Sequence, residues 1–207
     1  MDAPSGLMVA SRTGWQGMLT GQLSLLPEAF DAPATGPRLY GSALTVSVNL
    51  KGVIDVDTVK GCTSGMRAYP GTGCYGECYA HKLAIRGNLN FGVSVSRKLV
   101  DQWQHRDVLI KQLLDLPQRW YRIGTMGDPC HDWNHTLSMI RVLRPAQKTA
   151  VIITKHWVAL TDEHLSKLLE LDVVVNTSTS GMDTDAELRH RVNQIERLRR
   201  YGIPSVN

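Results

Sequence analysis

Beyond residue 117 the apolar and polar positions fall into a repeating order. Trp120-Tyr-Arg-Ile-Gly-Thr125, Thr149-Ala-Val-Ile-Ile-Thr-Lys155 and Asp172-Val-Val-Val-Asn-Thr-Ser178 are short runs dense in β-branched and aromatic residues, the composition of strands. Between and after them, apolar residues recur at three- and four-residue spacing, which predicts helices near Asn134 to Leu143, Asp162 to Glu170 and Asp183 to Arg200. The runs Ala150 to Thr154 and Val173 to Asn176 are almost wholly apolar. A strand without a polar face is covered on both sides, so the pattern predicts an α/β fold with a parallel sheet between helices.

Upstream, Leu44-Thr-Val-Ser-Val-Asn-Leu50 alternates as a first strand does, and Ser96 to Leu116 carries Leu99, Trp103, Val108, Leu109 and Leu113 at helical spacing. The Gly-rich segment between them reads as a structured loop, with a short helix from Cys78 to Ile85 that Gly87 and Asn88 stop. Residues 1 to about 40, broken by Pro4, Pro27, Pro33 and Pro37, read as an N-terminal arm on a single domain of residues 41–207. Gly202-Ile-Pro-Ser-Val206 resembles the entry to a fifth strand. Four strands and this stub fall short of a closed eight-stranded barrel, which takes about 250 residues. The expectation is a partial (β/α) barrel lacking its C-terminal part. A missing segment, a homodimer partner or the arm would cover its open edge.

Ligand sites in α/β sheets collect at the carboxyl ends of the strands, where βα loops gather and helix N-termini present N–H groups. The chemistry-bearing residues of this chain stand at those positions. Cys62, Cys74, Cys78 and His81 follow the first strand, and Gly127, Asp128, Cys130 and His131 follow the second. Lys155, His156 and Trp157 follow the third, and Ser178, Thr179 and Ser180 follow the fourth. Three of the four cysteines lie between positions 62 and 78, a grouping that suits metal ligation in a reducing compartment. Three thiolates suit an iron–sulfur cluster with one iron left open to a small molecule. The competing readings are small buried apolar cysteines and a closed zinc site of Cys62, Cys74, Cys78 and His81 that staples the loop. Cys130 reads as a thiol beside the site, a radical precursor that relays hydrogen, a ligand closing the open iron, or an unpaired thiol. His131 reads as a hydrogen-bonding group near the site or, with Cys130, a zinc ligand. His105, His164 and His190 read as solvated helix positions.

The order Gly61-Cys62-Thr63, a Pro-Gly turn, Cys74, and then Cys78-Tyr79-Ala80 opening a helix resembles the cluster loop of a three-cysteine, radical-SAM-like family of phages and mobile elements. The resemblance continues through Ile123-Gly-Thr-Met-Gly-Asp128 and the histidine after it, and through Ile152-Ile-Thr-Lys155. It spans roughly residues 45 to 180. It implies a [4Fe–4S] cluster on Cys62, Cys74 and Cys78, with His81 as the alternative to Cys62. It further implies S-adenosylmethionine on the open iron, cleaved reductively to start radical chemistry on an unknown substrate. Gly127-Asp128-Pro129 is similar to the segment that meets the methionine amine in such barrels, which gives Asp128 that role. Lys155 would neutralise the carboxylate, Ser178, Thr179 and Ser180 would bind carboxylate or ribose, and Cys130 and His131 are the candidate catalytic groups.

Composition narrows the rest. With 43% hydrophobic residues in 207, the chain can bury a core, which excludes a disordered or collagenous protein. The net charge of +4, from 23 Lys and Arg against 19 Asp and Glu, is too small for a nucleic-acid coat. Arg189, Arg191, Arg197, Arg199 and Arg200 make the last helix basic, which reads as a solvated face, with nucleic-acid binding the weaker alternative. No run approaches the roughly 18 apolar residues of a membrane helix and no leader pattern opens the chain, so a cytoplasmic protein without membrane contact is expected. A third functional class remains: a shortened, non-catalytic barrel that acts as a binding or inhibitory protein.

Overall fold

The computed structural model describes residues 37–66, 74 and 78–206. The predicted arm lies, up to Gly36, outside the described residues. The strands are β1 (Ser47–Val48), β2 (Ile54–Asp55), β3 (Val59–Lys60), β4 (Val95–Ser96), β5 (Trp120–Ile123), β6 (Thr149–Thr154), β7 (Val173–Thr177) and β8 (Ser205–Val206). The helices are α1 (Tyr79–Arg86), α2 (Gln102–Leu114), α3 (Trp133–Leu143), α4 (Asp162–Leu169) and α5 (Asp185–Arg200). One sheet runs in the order β1-β2-β5-β6-β7-β8, with every neighbouring pair parallel except β1 and β2. β3 and β4 form a separate antiparallel pair. The α/β class holds, and among the described residues the six-stranded sheet stays open, with β1 and β8 at its edges.

The repeating half of the chain folds as its periodicity demands. Ala150, Ile152 and Thr154 of β6 and Val173, Val175 and Thr177 of β7 are buried, while the alternate residues are half-buried. Tyr121 and Ile123 of β5 continue that core, which Leu137 and Ile140 of α3, Leu165 and Leu168 of α4 and Leu198 of α5 complete. Each such side chain contributes about 1.5–3 kcal/mol. Both α4 and α5 begin with reciprocal capping boxes, Thr161 with His164 and Thr184 with Glu187, which satisfy orphan N–H groups at the helix start. His164 is therefore a buried capping residue and not the solvated one expected.

The first half departs further from expectation. The run from Leu44 to Leu50 yields only β1, an antiparallel edge strand. The first parallel strand is β2, inside the segment predicted as loop. The cause is a tight turn: Asn49 Oδ1 accepts from the N–H groups of Lys51 (2.9 Å) and Val53 (3.2 Å), and Gly52 has φ +76°, a local hydrogen-bonded reversal that ends the strand. The helix expected over Ser96 to Leu116 starts at Gln102, because Val95 and Ser96 pair with Lys60 and Val59. Its core contact is the i, i+4 pair Leu109 and Leu113, whereas Trp103 is 67% exposed. No helix among the described residues is long and apolar enough to cross a membrane.

Candidate functional site

The carboxyl ends of β5, β6 and β7, with the segment after β3 and the start of α1, surround a cleft of about 420 Å³. Cys62, Cys74 and Cys78 line it together with Tyr79 and Phe91, and so do Gly127, Asp128, Lys155, Trp157, Ser178 and Ser180. Eight of the eleven residues predicted for the site therefore share one cavity. Thr179 is exposed beside it, and Cys130 and His131 are not on its wall.

Two glycines bring the cysteine wall to the Asp128 loop. Gly61 and Gly127 form a parallel bridge in which Gly61 N–H donates to Met126 O at 2.8 Å. A Cβ on Gly127 would stand 2.6 Å from Val59 O and 2.7 Å from Gly61 O, while one on Gly61, at φ +82°, would collide with Val93 O. The bare backbone at Gly127 permits this approach and that at Gly61 the packing against Phe91 and Val93, and Cys62 follows directly.

Asp57 holds the floor of the cleft. Its Oδ1 accepts from the N–H groups of Gly124 (3.1 Å) and Thr125 (2.7 Å), and its Oδ2 accepts from Met126 N–H (3.1 Å). Burial nevertheless pushes the Asp57 carboxyl above its ordinary pKa, against those three amides and Lys60. Asp55 accepts from Arg122 Nε (2.7 Å) and Thr125 Oγ1 (2.8 Å), tying β2 to the same loop. Sequence reading passed over both carboxylates. Their signal was an Asp-Val-Asp triplet directly after the apolar pair Val53-Ile54, the place where a parallel strand delivers its polar groups.

The three thiols are unequal. Cys62 is buried, accepts from Gly65 N–H at 3.3 Å, and lies 3.5 Å from His131 Nε2. Burial and the nearby Asp128 push its pKa up to about 12. The Cys74 thiol donates to Cys78, which raises Cys74 and lowers Cys78 to about 6, with the His81 and Ala80 amides at the start of α1 assisting against burial. Cys78 is thus the thiolate of the group, as a thiol at a helix N-terminus becomes. Among the described residues no three His, Cys, Asp or Glu side chains stand ready around a common metal position. The cysteines share a wall, and ligation requires Cys62 and Cys74 to shed protons and close in. Three soft sulfur donors on one cleft fit an iron–sulfur cluster with an open corner, or zinc. His81 packs on Phe91, with ring centroids 5.8 Å apart, and is not on the wall.

Asp128 is nearly buried and joins β5 to β6: its Oδ1 accepts from Thr154 Oγ1 (2.7 Å) and Cys130 N–H (3.0 Å), and its Oδ2 from Lys155 N–H (2.8 Å). Lys155 Nζ reaches Asp183 Oδ1 (3.2 Å) and Ser180 Oγ (3.4 Å). Asp183 also pairs with the buried Arg191, whose Nε donates to Lys155 O at 2.9 Å and whose guanidinium lies 4.9 Å from the Trp157 ring centre. The predicted Lys155 cation is thus one member of an ion cluster with Asp183 and Arg191, two residues to which no site role had been given. Cys130 is 1% exposed, packs in the main core and has its pKa raised by burial and by Asp128. His156 is also buried, at φ +51°, with Nε2 3.1 Å from Thr177 Oγ1, and burial lowers its pKa to about 4. It packs beneath the rim, beside Trp133. His190, expected to be solvated, is half-buried and hydrogen-bonds His156 O at 2.8 Å.

No protein-family model, no curated protein and no solved structure matches the chain. What it does has to be inferred from the cleft itself.

Proposed function

We propose that this chain is a radical-SAM-like iron–sulfur enzyme on an open, partial (β/α) barrel, with Cys62, Cys74 and Cys78 as the cluster ligands. The observation that carries this reading is the cleft's composition. Three thiols line the same cavity as a carboxylate, an ammonium and two serine hydroxyls, at the carboxyl end of a parallel sheet, where α/β proteins bind cofactors. When bound, a [4Fe–4S] cluster with S-adenosylmethionine supplies the one-electron cleavage that starts radical chemistry.

The chain's own residues bind, orient and shield. Cys78 enters ligation already inclined to the thiolate form. Asp128 receives the Thr154 hydroxyl, the Cys130 and Lys155 amides and the Cys130 thiol, which fills the roughly four lone-pair directions of a carboxylate, so the ammonium of the methionine moiety would take the place of the thiol, the weakest of the four donors. Ser178 and Ser180 offer hydroxyls for its carboxylate or the ribose, and Lys155, anchored on Asp183, adds positive charge at that end. Phe91, Ile153 and Met182 line the cleft with apolar surface, which disfavours bulk water beside a reactive radical.

One distance favours a second reading, a zinc site in which His131 stands in place of the expected His81. Two ligands on a tetrahedral zinc, at about 2.3 Å for sulfur and about 2.05 Å for nitrogen, stand about 3.5 Å apart. Cys62 Sγ and His131 Nε2 are 3.5 Å apart. Anaerobic reconstitution with iron and sulfide followed by incubation with S-adenosylmethionine and dithionite separates the two readings. The enzyme reading expects a brown protein that releases 5′-deoxyadenosine. A colourless protein holding one zinc and releasing none contradicts it.

A further inference from the structure

We propose that His131 is a positioning residue for the metal centre: its Nε2–H donates a hydrogen bond to Cys62 Sγ and sets how readily the centre held by that sulfur accepts an electron. The inference rests on the iron–sulfur reading above and goes beyond it by assigning a tuning group.

The geometry is built, not incidental. Asp128 caps the short turn Pro129–Asp132 through Cys130 N–H, and Asp132 caps α3 through His135 N–H at 3.1 Å while accepting from Ser96 Oγ at 2.7 Å. His131 sits between these two caps, followed by the buried Trp133, whose indole N–H donates to Val158 O at 2.9 Å. On the other side, Cys62 N–H donates to Phe91 O at 2.7 Å, and Gly61 is bridged to Gly127. Both ends of the 3.5 Å contact are therefore held by backbone. The separation suits an N–H···S hydrogen bond.

In a four-iron cluster with one open corner, each of the three held irons takes a single protein ligand. Cys62 fills that position on its iron, so the imidazole 3.5 Å from Cys62 Sγ is placed as a donor to the ligating sulfur. Gly65 N–H is a second donor to the same atom. Hydrogen bonds to cluster sulfur favour the more negative, reduced state and raise the potential.

The test compares reconstituted wild type with His131→Ala, His131→Leu and His131→Gln, reading iron content, the EPR spectrum of the dithionite-reduced form and the reduction midpoint. The expected result is unchanged iron in all four, a midpoint shifted to more negative potential in the Ala and Leu variants, and return toward wild type in Gln, which keeps an N–H donor. His131→Leu preserves bulk should the smaller side chain impair folding. An unchanged midpoint and spectrum in Leu and Ala overturns the proposal, and so does loss of iron in a folded variant, which would make His131 a ligand. A wild-type chain that takes up no iron overturns the cluster reading itself, and that outcome is visible before any variant is compared.

Discussion

Removing the Asp57 carboxylate should loosen the floor of the cleft. Asp57→Ala deletes the acceptor for three consecutive amides, those of Gly124, Thr125 and Met126, at 3.1, 2.7 and 3.1 Å. A hydrogen bond to a charged group contributes about 1.5–3 kcal/mol, and a buried donor left without a partner costs about 1–3 kcal/mol. Against this stands relief of a buried charge, for burial is the leading cause of the raised Asp57 pKa. The net loss should be about 3–4 kcal/mol, in the range for breaking a buried charged pair. Asp57→Asn keeps one oxygen, able to serve Gly124 and Thr125, but turns its NH2 toward the Met126 N–H, for a loss of about 1–2 kcal/mol. Urea denaturation followed by circular dichroism gives both values, provided the slope with denaturant is unchanged. Hydrogen exchange at the three amides should accelerate in the Ala variant beyond the global loss. If Ala lies within about 0.5 kcal/mol of wild type, or the three amides keep their protection, the clamp is not what holds this loop.

Two further perturbations probe the packing around the site. The His156 pKa, about 4 in place of an ordinary 6.5, means that the unfolded chain binds a proton the folded one refuses, so its contribution is complete above pH 6.5 and shrinks as pH falls toward 4. The loss should reach about 3 kcal/mol; His164 and His105 are lowered too, so the share of His156 is the difference between wild type and His156→Gln across that window, and equal pH slopes in the two would refute it. Gly127→Ala places a Cβ 2.6–2.8 Å from the backbone of Val59, Lys60 and Gly61 and should cost about 2–3 kcal/mol, a fall in Tm of about 5–10 °C. Gly181→Ala, which meets nothing within 4 Å, should change little, and a similar fall in both variants would remove the close-approach argument.

The sequence disclosed most where periodicity was sustained and least where contacts were distant. β5, β6, β7 and the helices α3 to α5 stand within two residues of their expected bounds, because apolar spacing, capping threonines and β-branched runs agree there. β2 escaped because it is two residues long and carries an aspartate whose partners, Arg122 and Thr125, come about 70 positions later. The collection of Cys62, Cys74, Cys78, Asp128, Lys155 and Ser180 on one cleft followed from the rule that strand ends share a rim. The rule does not say which of these side chains are already partnered. Lys155 is tied to Asp183, and Cys130 lies in the core behind Asp128, because tertiary pairing, not residue type, decides what a buried polar group does. The Cys62–His131 contact spans 69 positions and has no local signature.

The central claim is that three particular sulfurs hold an iron–sulfur centre, and metal analysis after anaerobic reconstitution tests it most directly. Wild type should carry about four irons per chain. Cys62→Ala, Cys74→Ala and Cys78→Ala should each lose them, whereas Cys130→Ala, whose thiol is buried away from the cleft, should keep them. Iron retained without Cys62, or lost equally without Cys130, would contradict the assignment, and a wild-type chain that binds no iron would end it.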